Sequence, residues 1–157
     1  MIDSKRRSLL KGSLAAGSVG VAIGAGLLSP RLVLAAWNEA AFTAKDVPSA
    51  LSSLMGGDAT ESSDAIQIKA PDIAENGAVV PVTVETSLEG VKSIAIIASG
   101  NATPLVASFD LGEAALPFVS TRIKMGKTAD VVAVVQTGDK LLSNAKNVKV
   151  TIGGCGG

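Results

Sequence analysis

The chain has 157 residues, with 14 basic and 14 acidic side chains, one Cys, and neither His nor Tyr. That composition excludes a Cys/His zinc site, a Ser-His-Asp triad and a Cys-His pair. A net charge of zero with only three Phe and one Trp leaves neither a basic stripe nor stacking platforms for nucleic acid, while the length suits one domain with a core of its own.

Residues 1–35 carry five bases (Lys5, Arg6, Arg7, Lys11 and Arg31) against Asp3 alone, so nine bases and thirteen acids remain beyond them. The rest of the chain is mildly acidic. A basic start, an apolar run over 12–28 and Val33-Leu34-Ala35 before the cleavage point have the layout of an export signal. A membrane anchor is the alternative, but the run has 17 residues, five of them Gly, and is short for a span of about 20. Arg6-Arg7-Ser8-Leu9-Leu10-Lys11 matches a twin-arginine pattern, with Leu9 where Phe is more usual. The expectation is export of a folded protein to the periplasm, cleavage near Ala35 or Ala36, and no membrane insertion of the mature form. Folded export without metal ligands points to assembly with a partner chain beforehand.

A helical segment is predicted over 36–56, where Phe42, Val47, Ala50, Leu51, Leu54 and Met55 recur at helix spacing. Pro48 suits a first helical turn and Gly56-Gly57 a stop. Residues 57–64 are polar and Gly/Ser/Asp-rich, and read as a linker. A β domain is then predicted over 65–152, with strands at 65–70, 78–86, 91–98, 104–110, 117–125, 129–137 and 146–152. Val80, Val82 and Val84 alternate with Pro81, Thr83 and Glu85, and Val148, Val150 and Ile152 with Asn147, Lys149 and Thr151. Turn signals separate the runs, among them Glu75-Asn76-Gly77, Glu89-Gly90, Gly100-Asn101, Gly126-Lys127 and Gly138-Asp139. The predicted fold class is all-β: an immunoglobulin-like antiparallel β-sandwich with a short N-terminal helical segment and a flexible C-terminal Gly-rich arm. A small barrel is the competing architecture.

Packing does not account for the end of the chain at 153–157, Gly153-Gly154-Cys155-Gly156-Gly157. Four glycines are poorly suited to a core, so Cys155 is expected to be exposed. Five residues at about 3.3–3.6 Å each reach about 17 Å, and glycine on both sides keeps the thiol slim enough for a narrow cleft. No cation neighbours Cys155 in sequence and the terminal carboxylate disfavours its thiolate, so activation would fall to partner enzymes. A thiocarboxylated Gly-Gly terminus is another reading, but it requires ATP and a cytosolic activating enzyme, against which the export signal argues.

The Arg6-Arg7 leader, the stretch Ala70-Pro71-Asp72-Ile73-Ala74-Glu75-Asn76-Gly77-Ala78-Val79-Val80-Pro81-Val82, the run Ser120-Thr121-Arg122-Ile123-Lys124-Met125 and the terminal pentapeptide together resemble the SoxY family of the bacterial thiosulfate-oxidising (Sox) system. The resemblance implies a non-catalytic covalent carrier without a cofactor, paired as a heterodimer with a SoxZ-like β-sandwich subunit. It implies that Cys155 holds thiosulfate-derived intermediates on an arm of Gly153, Gly154, Gly156 and Gly157. A c-type cytochrome would conjugate thiosulfate to it, and a sulfate thiohydrolase and a sulfur dehydrogenase would process the product. Leu9 is the departure from the pattern.

An enzyme acting through Cys155, a thiol-based sulfurtransferase or peroxidase, is the alternative function, although such thiols usually sit in a formed electropositive pocket. Arg122 and Lys124, placed on one strand face, could bind an anion such as thiosulfate; alternating charges on a sheet face are more often solvated, and the same holds for Lys146 and Lys149. Asp46, Asp58, Asp64 and Asp72 lack calcium-loop spacing and read as caps and turn residues.

Overall fold

The computed structural model describes residues 38–138 and 140–151. Two short helices open it, α1 (Glu39–Thr43) and α2 (Val47–Met55). Asn38 caps α1, its side-chain oxygen accepting from the Ala41 N–H at 3.1 Å. Asp46 caps α2, accepting from the Ser49 N–H at 2.8 Å and the Ser49 hydroxyl at 2.9 Å. Both bonds favour the ionised form, led by the backbone one, and hold the Asp46 carboxyl below its usual range. Pro48 lies in the first turn of α2, and Gly56 ends it at φ 76°, a left-handed conformation that glycine adopts freely.

Nine strands follow: β1 (Glu61–Ser62), β2 (Ile66–Lys69), β3 (Ile73–Ala74), β4 (Val80–Thr86), β5 (Val91–Ala98), β6 (Leu105–Asp110), β7 (Phe118–Ile123), β8 (Ala129–Thr137) and β9 (Lys140–Val150). One sheet has the order β1-β9-β8-β5-β6, with β3 also pairing with β9; the other has the order β2-β4-β7. The main pairings are antiparallel, and β1 and β3 join β9 in parallel.

The core lies between the sheets. Ile66, Val80, Val82, Val84, Val119 and Ile123 of the smaller sheet meet Ile94, Ile96, Val131, Ala133, Val135 and Val148 of the larger one. Alternation puts every second residue of each strand on this face. The fold is thus the all-β sandwich expected from the alternating runs.

The larger sheet is covered on its other face too. Ala41, Ala50 and Leu51 from the helices pack with Ala95, Ile97, Leu105, Val134 and Leu141 in a second apolar cluster. This explains why β5 is buried without interruption from Ser93 to Ala98. A strand covered on both faces reads as a continuous apolar run.

Three features depart from the expected strands. β1 and β3 are additional, each of two residues, and β9 begins at Lys140 instead of 146. β7 stops at Ile123, so Lys124 lies just beyond the strand; it is exposed, as Arg122 is, while Ile123 and Met125 are buried.

Candidate functional site

Arg6, Arg7, Cys155 and the arm glycines Gly153, Gly154, Gly156 and Gly157 lie outside the described residues. What the structure supplies is the root of the C-terminal tail. The end of β9 is held on two sides. β3 pairs with it in parallel, Ile73 opposite Lys149 and Ala74 opposite Val150. Bonds from the Lys149 N–H to the Asp72 carbonyl at 2.9 Å and from the Thr151 N–H to the Ala74 carbonyl at 3.1 Å complete that side. Toward β8, the Val150 N–H donates to the Thr128 hydroxyl at 2.9 Å, and that hydroxyl donates to the Val150 carbonyl at 3.4 Å.

Residues 70–79, which include β3, form a clamp around this root. Asn76 turns the chain, its side-chain oxygen accepting from the Ala78 N–H at 2.9 Å and its carbonyl from the Val79 N–H at 3.3 Å. The next residue, Gly77, accepts from the Met125 N–H at 2.7 Å. A Cβ at Gly77 would collide with the Met125 carbonyl and lie 2.7 Å from Val150 Cγ1, so only glycine permits this approach. The Lys146 ammonium donates to the Ala70 carbonyl at 2.7 Å and pairs with Asp72 at 3.1 Å. Lys146 and Asp72 therefore tie β9 to the clamp, where the sequence pattern suggested a solvated base and a turn acid. Lys149 is exposed, as a solvated base should be.

Near the root, where Lys127 precedes Thr128, lies a groove of about 620 Å³, lined by residues including Gly100, Asn101, Thr103, Lys124 and Lys127. Asn101 links its two walls, donating to the Lys124 carbonyl at 2.7 Å and accepting from the Gly126 N–H at 2.9 Å. At the wall made by Gly100, a Cβ would lie 2.6 Å from that of Ala129. Sequence reading marked Gly100-Asn101 and Gly126-Lys127 only as turns. Nothing local in either stretch signals that they face each other.

Among the described residues, no group of three or more His, Cys, Asp or Glu could hold a metal ion, and no buried side-chain polar atom lacks a partner. The architecture defines an antiparallel β-sandwich with a locked terminal strand leading into a cysteine-bearing glycine tail.

The family model for the sulfur oxidation protein SoxY matches residues 51–155, and the chain belongs to that family. Among solved structures, the sulfur carrier protein SoxY from Chlorobium limicola f thiosulfatophilum is similar at 50% identity and a TM-score of 0.60, over 66% of this chain and 94% of that one. A superoxide reductase (neelaredoxin) from Ignicoccus hospitalis is 17% identical with a TM-score of 0.50, over 55% of this chain and 80% of that one, and shares the fold alone. No curated protein matches.

Proposed function

We propose that the protein is a sulfur carrier that holds thiosulfate-derived intermediates covalently on Cys155 and presents them to partner enzymes in the periplasm. The observation that carries this reading is the family match, which runs through the β-sandwich and reaches residue 155, the position of the chain's single cysteine. The 50% identity to a structure described as a sulfur carrier supports it. So does the root geometry: a strand locked as far as Thr151 gives a tail a fixed origin.

The chemistry follows from a lone thiol. Conjugation to thiosulfate forms an S–S bond, and the thiol proton and two electrons leave, the electrons to a c-type cytochrome. Hydrolysis by a thiohydrolase then releases the outer sulfonate as sulfate and leaves a persulfide on Cys155, which a sulfur dehydrogenase oxidises further. The chain itself supplies attachment and positioning, and its twin-arginine leader would export it folded with a SoxZ-like subunit. Leu116 and Phe118, which stay 81% and 52% exposed, offer apolar surface of the kind a partner subunit covers.

Mass spectrometry of protein from thiosulfate-grown cells tests the reading. Adducts are expected on the terminal peptide, and Cys155→Ser should lose them along with thiosulfate-dependent turnover in the reconstituted system. An unmodified terminal peptide in the wild type, or full turnover in the variant, would overturn it.

A further inference from the structure

Among the described residues, the exposed large hydrophobics fall into two pairs, Leu116 with Phe118 and Ile73 with Val79. In the smaller sheet Phe118 stands opposite Glu85, and Ile123 stands opposite Val80, the residue after Val79. Five residues of β4 at about 3.4 Å each set the pairs about 17 Å apart. They mark opposite ends of the sandwich, and only the second pair belongs to the end from which the tail leaves.

Both members of that pair lie close to the last strand. Ile73 stands opposite Lys149, two residues before Thr151, so strand spacing and rise place it within about 10 Å of Thr151. Val79 closes the turn that starts at Asn76, and inside that turn a Cβ on Gly77 would lie 2.7 Å from Val150 Cγ1. Their neighbours Ala74 and Val80 are buried in the core between the sheets. Ile73 therefore faces out from the larger sheet and Val79 out beside the smaller one. The root carries an apolar side chain on each flank, 57% and 51% exposed.

The tether length says what covers them. Cys155 lies four residues beyond Thr151, at most about 14 Å of extended chain at about 3.3–3.6 Å per residue. Whatever encloses the thiol in a cleft must bring the mouth of that cleft up to the root, where Ile73 and Val79 stand. A flat subunit surface meets one flank of the root, whereas a rim that surrounds it meets both.

We propose that Ile73 and Val79 are the contacts on which an enzyme seats an apolar collar around the mouth of its cleft when it takes up Cys155. The inference rests on the carrier reading and adds to it the footprint of the processing enzymes on the folded domain, distinct from the Leu116 and Phe118 surface. Two half-exposed apolar anchors beside a short tether bring docking energy to bear where the tail must be aimed.

An I73T/V79T double variant keeps the branched side chains that suit an extended backbone and loses apolar surface. In the reconstituted system, the KM of the conjugating cytochrome and of the thiohydrolase for this carrier should rise about tenfold while kcat holds, as when binding alone is lost. Reaction of Cys155 with a small disulfide reagent in free solution should be unchanged. An unaltered KM would overturn the proposal, and so would loss of the SoxZ-like subunit from the variant, which would make that subunit the occupant. Hydrogen exchange on the wild-type complex needs no substitution. Adding the thiohydrolase should protect the amides of 75–79 and leave those of 112–118 as they were; no protection, or protection at 112–118 alone, contradicts the footprint. Normal adducts on Cys155 together with an unaltered KM would remove the footprint and leave the carrier reading standing. That reading fails separately, if protein from thiosulfate-grown cells carries no adduct.

Discussion

Gly77 stands where the 70–79 clamp, the end of β7 and the end of β9 converge, and the absence of a side chain is what lets them meet. The obstacle to any larger residue is the Met125 carbonyl, part of the backbone and not the far end of a flexible side chain. Gly77→Ala should therefore destabilise the protein by about 1–3 kcal/mol, the usual cost of overpacking. Gly112, with open space around its Cβ position, is the matched control. Gly112→Ala should stay within about 0.5 kcal/mol of wild type. Urea titration of both variants checks the pair, and equal stabilities would remove Gly77 from its role at the tail's root.

Among the elements, β5 is the strand on which both clusters depend. Ile96 faces the opposite sheet and Ile97 faces the helices, and both are fully buried. Ile96→Ala and Ile97→Ala should each cost about 2–5 kcal/mol by chemical denaturation, the range for emptying a packed site. A cheap Ile97→Ala would mean that the helical layer is loosely applied. The run Ile94-Ala95-Ile96-Ile97-Ala98 was legible as a strand, but a short apolar run does not say what covers each face. The strands at 91–98 and 129–137 occur within the boundaries their patterns predict, since alternation or continuous apolarity marks them locally. By contrast, β1 and β3 are invisible in the sequence because two-residue parallel pairings are defined by their partner β9. The first half of β9 was missed for a related reason: Ser143-Asn144-Ala145 shows no alternation, and the Asn144 amide instead reaches the Ile66 carbonyl at 2.7 Å. In the candidate site, Cys155 stood out through composition alone. Lys146, Asp72 and Asn101 did not, because their roles depend on segments distant in the chain.

At the scale of the whole molecule, two helices, a larger sheet and a smaller sheet bury two apolar clusters. The described hydrogen bonds of the last strand extend to Thr151. Deleting 152–157 should therefore change stability by less than about 0.5 kcal/mol, while carrier activity is lost completely. Thermal unfolding compared with turnover in the reconstituted system checks this separation of fold from cargo. A large drop in melting temperature would assign the tail a structural role and contradict it.

The locked end of β9 also has a mechanical meaning. β9 is paired with β8 over nine residue pairs and with β1 and β3 on its other side. Rungs between strands run across the strand axis, so tension applied to the tail along β9 loads many of them in shear together, and none can be peeled first. On the proposed function, an enzyme that gripped the tail would pull against a domain that resists as a block, and the sandwich would not unravel behind it.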